Sequence, residues 1–359
     1  MTNLSQPARS RRTLHSQRGM TLVEWMISLT IGLILLAGLT TLIARQSSTQ
    51  AELEKSSRQI ENGRYAMQLL QEDLQLAGYY GEFSAVSTLT VPTTLPDPCS
   101  VAAADLSSAM PFSVQGYDSP GGTLPAEFAA CPLLAANHLD GTDILVVRRA
   151  DTAVVSGALV PGQAYFQAGL SASGLEFNRV ISVATSTAVD TAVFTLKKKD
   201  TLTTAALRKY LVHIYYVSPC SVPASGSVCS AANTDDGGTS VPTLKRMELS
   251  VQGGATRFVT TPLVEGIEKL QLDYGFDTTG DGAPDSYAKD AATVGAWADV
   301  VAIRVNVLAR NNERTVGYQD NKTYTLGLDG TTTATNDAFK RRVFSQLIRL
   351  VNPSARREQ

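Results

Sequence analysis

The sequence contains few of the side chains on which enzyme and metal chemistry usually depend. Only three histidines occur among 359 residues, and the spacing of His15, His138 and His213 does not match a metal cluster. The sequence also lacks a nucleophile-elbow motif, a phosphate-binding loop and a dinucleotide-binding glycine motif. A formal net charge of −2 provides no basic surface for nucleic acid. These absences predict a protein that is not an enzyme and does not bind nucleic acid directly.

Cysteine is also scarce, and its spacing argues against zinc. The four cysteines are Cys99, Cys131, Cys220 and Cys229, and none forms the closely spaced pair that is typical of a zinc site. Four cysteines allow three disulfide pairings. The pairs Cys99–Cys131 and Cys220–Cys229 are favoured because each would close a segment rich in Pro, Ser, Ala or Gly. Such bonds require an oxidising compartment.

The N-terminal region has no acidic residue before position 24. Residues 1–19 contain four arginines, at Arg9, Arg11, Arg12 and Arg18. An almost unbroken apolar run follows and ends at Ile43. At about 1.5 Å per residue, about 20 apolar residues cross a ~30 Å hydrocarbon core. The positive-inside rule keeps the basic flank in the cytoplasm, and the absence of a small-residue cleavage site after the run predicts a retained membrane anchor.

One acidic residue, Glu24, lies near the start of this apolar run. A charge at the bilayer centre costs about 2.5–3.5 kcal/mol on insertion scales, so such residues are usually functional. A buried carboxylate needs a positive partner, or its pKa rises until it is neutral. Two interpretations stay open: Glu24 pairs with an amine, or it reaches the membrane interface as part of a plain anchor.

The stretch GMTLVE at residues 19–24 resembles the class III signal of type IV prepilins and pseudopilins. This resemblance implies that a prepilin peptidase cleaves between Gly19 and Met20 and then N-methylates Met20. It also implies that Glu24 becomes the fifth residue of the mature chain and sets subunit register against an N-terminal amine. The family usually has Phe after the glycine, where this chain has Met20.

A seven-residue apolar repeat continues beyond the anchor. Leu53, Ile60, Met67 and Leu74 recur on one helical face. The sequence therefore predicts a single helix over about residues 21–77. Its first half is the membrane anchor, and its second half packs against the sheet of the same chain.

Two further segments resemble minor pilins of the PilW family. The first is ENGRYA at residues 61–66, followed by DL at 73–74 and AGY at 77–79. The second is VEGIE at residues 264–268, before an Asp/Gly-rich run. The resemblance implies an α+β pilin-like fold, with a long N-terminal helix packed on a mainly antiparallel β-sheet head. It implies a minor pilin that joins other minor pilins in a priming and tip complex for pilus assembly.

The same resemblance implies a set of partners and a location. The partners are other minor pilins, the major pilin, a PilY-type tip adhesin, the prepilin peptidase and the inner-membrane assembly platform. The head lies in the periplasm before assembly and in the extracellular pilus afterwards, where it serves twitching motility, cell adhesion and DNA uptake. Two alternatives stay open: a J-type pseudopilin of type II secretion, and a membrane-anchored periplasmic binding domain.

The sequence predicts four parts: a cleaved leader (1–19), a transmembrane helix (20–44), an amphipathic helix (45–80) and a β-rich head (81–359). No long helical patterns interrupt the strand patterns of the head, which predicts a mainly antiparallel sheet. Segments 92–140 and 218–241 are predicted to be long surface loops that face a partner. The predicted strands are 142–149, 175–183, 191–198, 208–217, 244–251, 269–276, 298–310 and 342–350.

One loop of the head has the pattern of a calcium site. Asp277, Thr279, Asp281 and Asp285 fall on positions 1, 3, 5 and 9 of a calcium-binding loop, with a glycine at position 6. Position 12 is Ala288 instead of Glu, and Asp-Gly turns also form without metal. The sequence therefore predicts Ca²⁺ as the one possible cofactor and leaves a metal-free turn as the alternative.

Overall fold

A computed structural model describes residues 19–118, 124–171, 173–174, 176–230 and 234–358. The predicted leader lies outside the described residues, except for Gly19. The chain divides into two compact units, Met1–Glu54 and Lys55–Gln359. The described part of the first unit is almost entirely helical, whereas the second unit contains all of the β-strands.

Helix α1 spans Leu22–Leu76, which confirms the predicted long helix. The apolar side chains between residues 22 and 43 are exposed. By length and composition, α1 is the single helix in the described part of the chain that could cross a membrane. An apolar surface of this length needs a lipid or protein environment, which agrees with the predicted anchor.

The second half of α1 is buried on one face. The buried residues recur every three or four positions, which is the period of one helix face. Gly63 belongs to this face because a Cβ atom there would lie 2.1 Å from the Phe344 ring. Leu53, predicted to begin the stripe, is exposed because no described side chain covers it. The buried residues are Gln59, Gly63, Ala66, Met67, Leu70, Asp73 and Leu74.

A glycine follows the C-terminal end of α1. Gly78 adopts φ +67°, a left-handed conformation that glycine adopts without strain at the C-terminal end of a helix. Its N–H donates a 2.9 Å hydrogen bond to the carbonyl of Arg148. The end of α1 is thereby fixed to the sheet.

Seven strands form the larger sheet, and every pairing is antiparallel. The order is β1-β2-β5-β3-β4, with β6 paired to both β5 and β7. The strands are β1 (Val114–Tyr117), β2 (Ile144–Ala150), β3 (Ala164–Leu170), β4 (Phe177–Val183), β5 (Leu207–Ser218), β6 (Thr243–Gln252) and β7 (Ala255–Glu265).

A second antiparallel sheet has the order β11-β10-β8-β9. Its strands are β8 (Ile267–Phe276), β9 (Ser286–Ala288), β10 (Val300–Arg310) and β11 (Arg341–Arg349). Three short helices complete the head, namely α2 (Ala103–Ser108), α3 (Pro132–Asn137) and α4 (Val351–Arg357). The long helix and the two antiparallel sheets form an α+β fold, as predicted.

The central strands β2 and β5 of the larger sheet are buried on both faces. Along β2, Leu145 and Val147 join the core that contains the buried face of α1, whereas Ile144 and Val146 join a second core on the opposite face. A strand that is covered on both sides needs apolar or aromatic residues at consecutive positions. This explains the continuous apolar and aromatic pattern of β5.

The structure corrects two of the sequence predictions for the head. Residues 191–198 form no strand and contribute only isolated bridges at Lys197. Segment 92–140 is not wholly a surface loop, because it contains α2, β1 and α3. It also buries Leu106, Phe112 and Leu134. The turn residues that separate these short elements hid their apolar residues from a periodicity argument.

Candidate functional site

The bond that the sequence predicts to be cleaved lies just before α1. Met20 is 65% exposed, and no atom beyond its chain neighbours lies within 4 Å of the position of a Cβ on Gly19. Neither residue belongs to the helix. Among the described residues, nothing covers the backbone at this point, and cleavage and N-methylation remain predictions.

Glu24 completes a capping box at the start of α1. The Thr21 N–H donates to Glu24 Oε2 at 3.3 Å, and the Glu24 N–H donates to Thr21 Oγ1 at 3.4 Å. This reciprocal pair satisfies two backbone donors that a helix N-terminus leaves free. The T-x-x-E spacing was visible in the sequence. Glu24 therefore has a local structural role beside the predicted role in subunit register.

A buried charged cluster connects the second half of α1 to the larger sheet. Asp73 Oδ1 accepts a 2.7 Å hydrogen bond from Arg149 Nε, and Oδ2 accepts one from the Tyr215 hydroxyl at 2.9 Å. Asp73 Oδ2 also lies 2.7 Å from His213 Nδ1. Arg149, His213 and Tyr215 share a sheet face because alternate residues of β2 and β5 point the same way.

The electrostatics of this cluster favour a charged Asp73. Burial by itself would raise the pKa of Asp73, but the neighbouring His213 and Arg149 outweigh burial and hold the pKa well below its usual range. His213 Nε2 is buried without a hydrogen-bond partner among the described residues. The nearest carboxylate oxygen to this atom, Glu248 Oε2, lies at 3.9 Å. The cluster is therefore a packed structural junction.

The four cysteines form the two disulfides that the sequence analysis favours. Cys99 bonds to Cys131 and Cys220 bonds to Cys229, with Cα–Cα distances of 5.7 and 5.8 Å. The first bond ties the segment around α2 and β1 to the start of α3. Closing such loops restricts the unfolded chain. Sulfur atoms in a disulfide are not thiolates, so these cysteines are not available as metal ligands.

Backbone N–H groups of the acidic loop donate hydrogen bonds to the carboxylates of the same loop. Asp277 accepts hydrogen bonds from the N–H groups of Gly280 and Gly282 at 2.6 and 2.8 Å. Asp285 Oδ2 accepts bonds from the N–H and hydroxyl of Thr278 at 2.7 and 2.8 Å. Burial would raise the pKa of Asp277, but the two N–H donors and Arg357 lower it overall. Two of the predicted calcium ligands therefore already have hydrogen-bond donors.

The C-terminal helix holds this loop in place. Arg357 Nη1 donates to the carbonyl of Asp277 at 2.8 Å and lies 3.5 Å from its carboxylate. The same guanidinium pairs with Asp299, and the Ser354 hydroxyl donates to the carbonyl of Gly282 at 2.5 Å. Asp281 bonds only locally, to the N–H of Ala283. Among the described residues, Asp277, Asp281 and Asp285 do not bring one carboxylate oxygen each within 4.8 Å of one another. Thr279 Oγ1 lies 3.4 Å from both Asp277 Oδ1 and Asp285 Oδ1.

Two family matches cover the two ends of the chain. The prokaryotic N-terminal methylation motif matches residues 14–40, which include Gly19, Met20 and Glu24. The family described as type IV pilus-assembly protein W, PilW, matches residues 231–352. The chain is a type IV pilin-like protein with a PilW domain. This domain contains strands β6 to β11 and the acidic loop.

Comparisons with individual proteins add less. The comparison with curated proteins gives no match. Among solved structures, the chain is similar to the type IV-like pilin TTHA1219 from Thermus thermophilus, with 14% sequence identity and a TM-score of 0.22. That match covers 40% of this chain and 79% of the other chain.

Several residues of this pilin-like protein that join its elements were not singled out from the sequence. Asp73, Arg149 and His213 lie far apart in the chain, and only the pairing of β2 with β5 below α1 brings them together. One signal was present, because Asp73 interrupts an apolar helical stripe beside Leu74. An acidic residue at such a position needs a positive partner when it is buried.

Thermal unfolding tests whether the acidic loop binds calcium. Since Asp277 and Asp285 are already hydrogen-bonded, we expect the same unfolding midpoint in millimolar Ca²⁺ as in EDTA. Differential scanning calorimetry of the full chain in detergent measures this. A rise in the midpoint with Ca²⁺ that Asp281→Ala abolishes would instead support the calcium prediction, because Asp281 has only a local bond to give up.

Proposed function

We propose that this protein is a minor pilin of a type IV pilus. It joins other minor pilins in the complex that primes pilus growth and remains at the tip. The observation that carries the proposal is the presence in one chain of an N-terminal methylation motif on a long apolar helix and of a PilW domain. The motif is typical of subunits that are processed for filament assembly, and the domain favours a PilW-type minor pilin.

The proposed mechanism is assembly, not catalysis. The leader holds the N-terminus in the cytoplasm until a prepilin peptidase cuts after Gly19, and α1 then stores the subunit in the inner membrane. Cleavage creates a free amine on Met20, close in sequence to Glu24. In a filament, Glu24 pairs with an N-terminal amine and fixes the stagger between neighbouring helices. Small residues such as Gly32 and Gly38 let apolar helices approach closely.

The head provides the surfaces for partners. Before assembly it lies in the periplasm, where the two disulfides are stable, and after assembly it lies in the extracellular pilus. The proposed partners are other minor pilins, the major pilin and a PilY-type adhesin at the tip, with the inner-membrane assembly platform during growth. Twitching motility, adhesion and DNA uptake are the processes that such a pilus serves. The PilW match favours the pilus over a type II secretion pseudopilin.

Substitutions of Glu24 test the proposal because the capping box separates two roles of this residue. Glutamine can replace glutamate in a capping box, but it has no charge for an amine. We expect Glu24→Gln and Glu24→Ala to remove most of the protein from sheared pili, while both variants remain in the membrane. Quantitative immunoblots of the pilus and membrane fractions measure this.

Comparison of Glu24→Gln with Glu24→Ala distinguishes the helix-cap role of Glu24 from its role in subunit register. If Glu24→Gln assembles as the wild type does and only Glu24→Ala fails, Glu24 acts as a helix cap and the register mechanism is wrong. If the wild-type protein is absent from sheared pili in a piliated host, the pilus function itself is contradicted. Ser28→Ala is a matched control, since it changes an exposed side chain one turn later that bonds only to the Glu24 carbonyl.

A further inference from the structure

A cleft of about 210 Å³ opens in the head beside the C-terminal helix α4. One side comes from the 3₁₀ helix Ala85–Thr88 and from Val91, and the other side comes from Pro353 and Arg356. Half of the lining residues are apolar, and the other half, Ser87, Ser113, Asp299, Arg356 and Arg357, bring polar groups to the cleft. No function is assigned to this cleft by the pilin mechanism described above.

Arg356 is a cation that has no counter-ion among the described residues. One of its Nη2 hydrogens goes to the carbonyl of Gly78, and its guanidinium lies 5.6 Å from the centre of the Tyr80 ring. Among the described residues, no carboxylate oxygen lies within 4.0 Å of Arg356. Burial lowers the pKa of Arg356, and the neighbouring Tyr80 phenol opposes this shift only in part. Its neighbour Arg357, by contrast, is balanced by Asp277 and Asp299.

Two further arginines, Arg148 and Arg179, lie near the Tyr80 ring that Arg356 contacts. Their hydrogen-bond partners are neutral, namely Gln115 and the Phe112 carbonyl for Arg148 and the Met110 sulfur for Arg179. Neither forms an ion pair within the described ranges. Burying unpaired charge is costly, so Arg356 would stabilise an anion in the cleft that it lines.

The cleft also offers neutral donors. The hydroxyls of Ser87 and Ser113 line it, and neither hydroxyl hydrogen-bonds to another residue in the part of the chain that the structure describes. A carboxylate accepts several hydrogen bonds, and those from a guanidinium are among the strongest. Asp299 also lines the cleft, and its negative charge disfavours a doubly charged phosphate more than a single carboxylate.

We propose that this cleft binds an acidic side chain presented by another pilin subunit. The carboxylate pairs with Arg356 and accepts hydrogen bonds from Ser87 and Ser113, while the apolar residues next to it in the partner segment contact Val86, Val91 and Pro353. This inference rests on the proposed pilus function, since that function supplies the partner. It assigns to the head a contact that is independent of α1 and Glu24.

Site-specific photo-crosslinking in a piliated host tests the proposal. The probe is p-benzoylphenylalanine at Val91 of the full chain, which lies on the rim and is 38% exposed. We expect one main adduct on another pilus subunit, with an Asp or Glu close in sequence to the crosslinked residue. Arg356→Gln should reduce the adduct by at least about tenfold, because it removes one partner of a desolvated charge pair.

Three further variants make the result specific. Arg356→Lys should retain most of the adduct, since it keeps the charge. Arg342→Gln changes an exposed arginine of β11 and should leave the adduct unchanged. Arg356→Glu should restore the adduct only when the acidic residue found on the partner is replaced by arginine.

Other outcomes overturn the inference. These are an adduct that Arg356→Gln does not change, an adduct with phospholipid, and no adduct while the wild-type protein is present in sheared pili. The pilus fraction separates this failure from failure of the proposed function. Protein that never enters pili contradicts the function itself, whereas protein in pili without the Arg356-dependent adduct contradicts only the cleft.

Discussion

Asp73→Ala is expected to lower the free energy of unfolding of the head by about 3–5 kcal/mol, the usual cost of removing one partner from a buried ion pair. Asp73 is 5% exposed and accepts bonds from Arg149 and Tyr215 while lying beside His213. Its removal leaves these polar groups buried without their acceptor. The same change removes the ion pair that connects α1 to the sheet.

Denaturant unfolding of the full chain in detergent measures this effect. Near-ultraviolet circular dichroism follows the head, because Trp297 packs in its core at 4.7 Å from the Tyr274 ring centre. The matched control is Glu72→Ala, which removes an exposed carboxylate one position earlier and should change stability by less than about 0.5 kcal/mol. Equal stability of the Asp73 and Glu72 variants would show that the cluster does not hold the helix to the sheet.

The Asp73 effect should depend on pH in a defined direction. The pKa of Asp73 is lower in the folded state than in the unfolded state. Its contribution is therefore fully present above the unfolded pKa of about 3.9 and is lost as pH falls toward the folded pKa. The stability difference between wild type and Asp73→Asn should be largest near neutral pH and should shrink below about pH 4. A difference that stays constant from pH 7 to pH 3 would contradict the assignment.

Arg341→Met is expected to destabilise the head by about 3 kcal/mol or more. Arg341 is buried at the start of β11 and donates to Glu268, Asp320 and Asp337 at 2.9, 3.0 and 2.7 Å. Asp320 is fully buried and loses its only ion-pair partner in the described part of the chain. Glu268 and Asp337 are more exposed, so water compensates part of their loss.

The Arg341 change should also have a local signature. Asp320 and Asp337 belong to the long connection between β10 and β11, so their ion pairs attach this connection to the sheet. Limited proteolysis should cut residues 311–340 faster in Arg341→Met than in the wild type. Arg342→Met is the matched control because the next side chain of β11 is exposed. Similar stability and cleavage of the two variants would contradict a structural role for the ion-pair cluster.

Periodicity was sufficient to predict the parts of the fold with a strong single pattern. The stripe through Met67 and Leu74 predicted the long helix, and the run of β-branched and aromatic residues in 208–217 predicted β5. Segment 191–198 also has β-forming residues, yet only Lys197 forms bridges there. Strand formation needs a neighbouring strand with free hydrogen-bonding groups, and a local pattern does not supply that information.

The hairpin of β6 and β7 was missed for a different reason. Pro262 interrupts the pattern of β7, but β7 pairs only with β6 and is an edge strand, where proline is tolerated. Gly253 and Gly254 connect the two strands with φ values of +61° and +77°. Two positive φ values in a two-residue loop are typical of a tight hairpin turn. The Gly-Gly signal was therefore present in the sequence.

The candidate sites also differ in how far the sequence alone reveals them. Gly19, Met20 and Glu24 lie in one continuous motif, so the sequence alone singles them out. The clusters around Asp73, Arg341 and Arg356 combine residues from distant elements and exist only after the strands pair. For the acidic loop, residue spacing suggested metal ligands, whereas the backbone N–H groups that occupy Asp277 could be found only from the folded loop.

The central claim is that the chain is processed as a pilin, and N-terminal mass spectrometry tests it most directly. The protein is recovered from the membranes of its host with an active prepilin peptidase, and Gly19→Val is analysed in parallel. We expect the wild-type chain to begin at N-methylated Met20 and the Gly19→Val chain to retain residues 1–19. A wild-type chain that retains its leader, or one that begins after Ala44, would contradict the account and favour a membrane-anchored periplasmic domain.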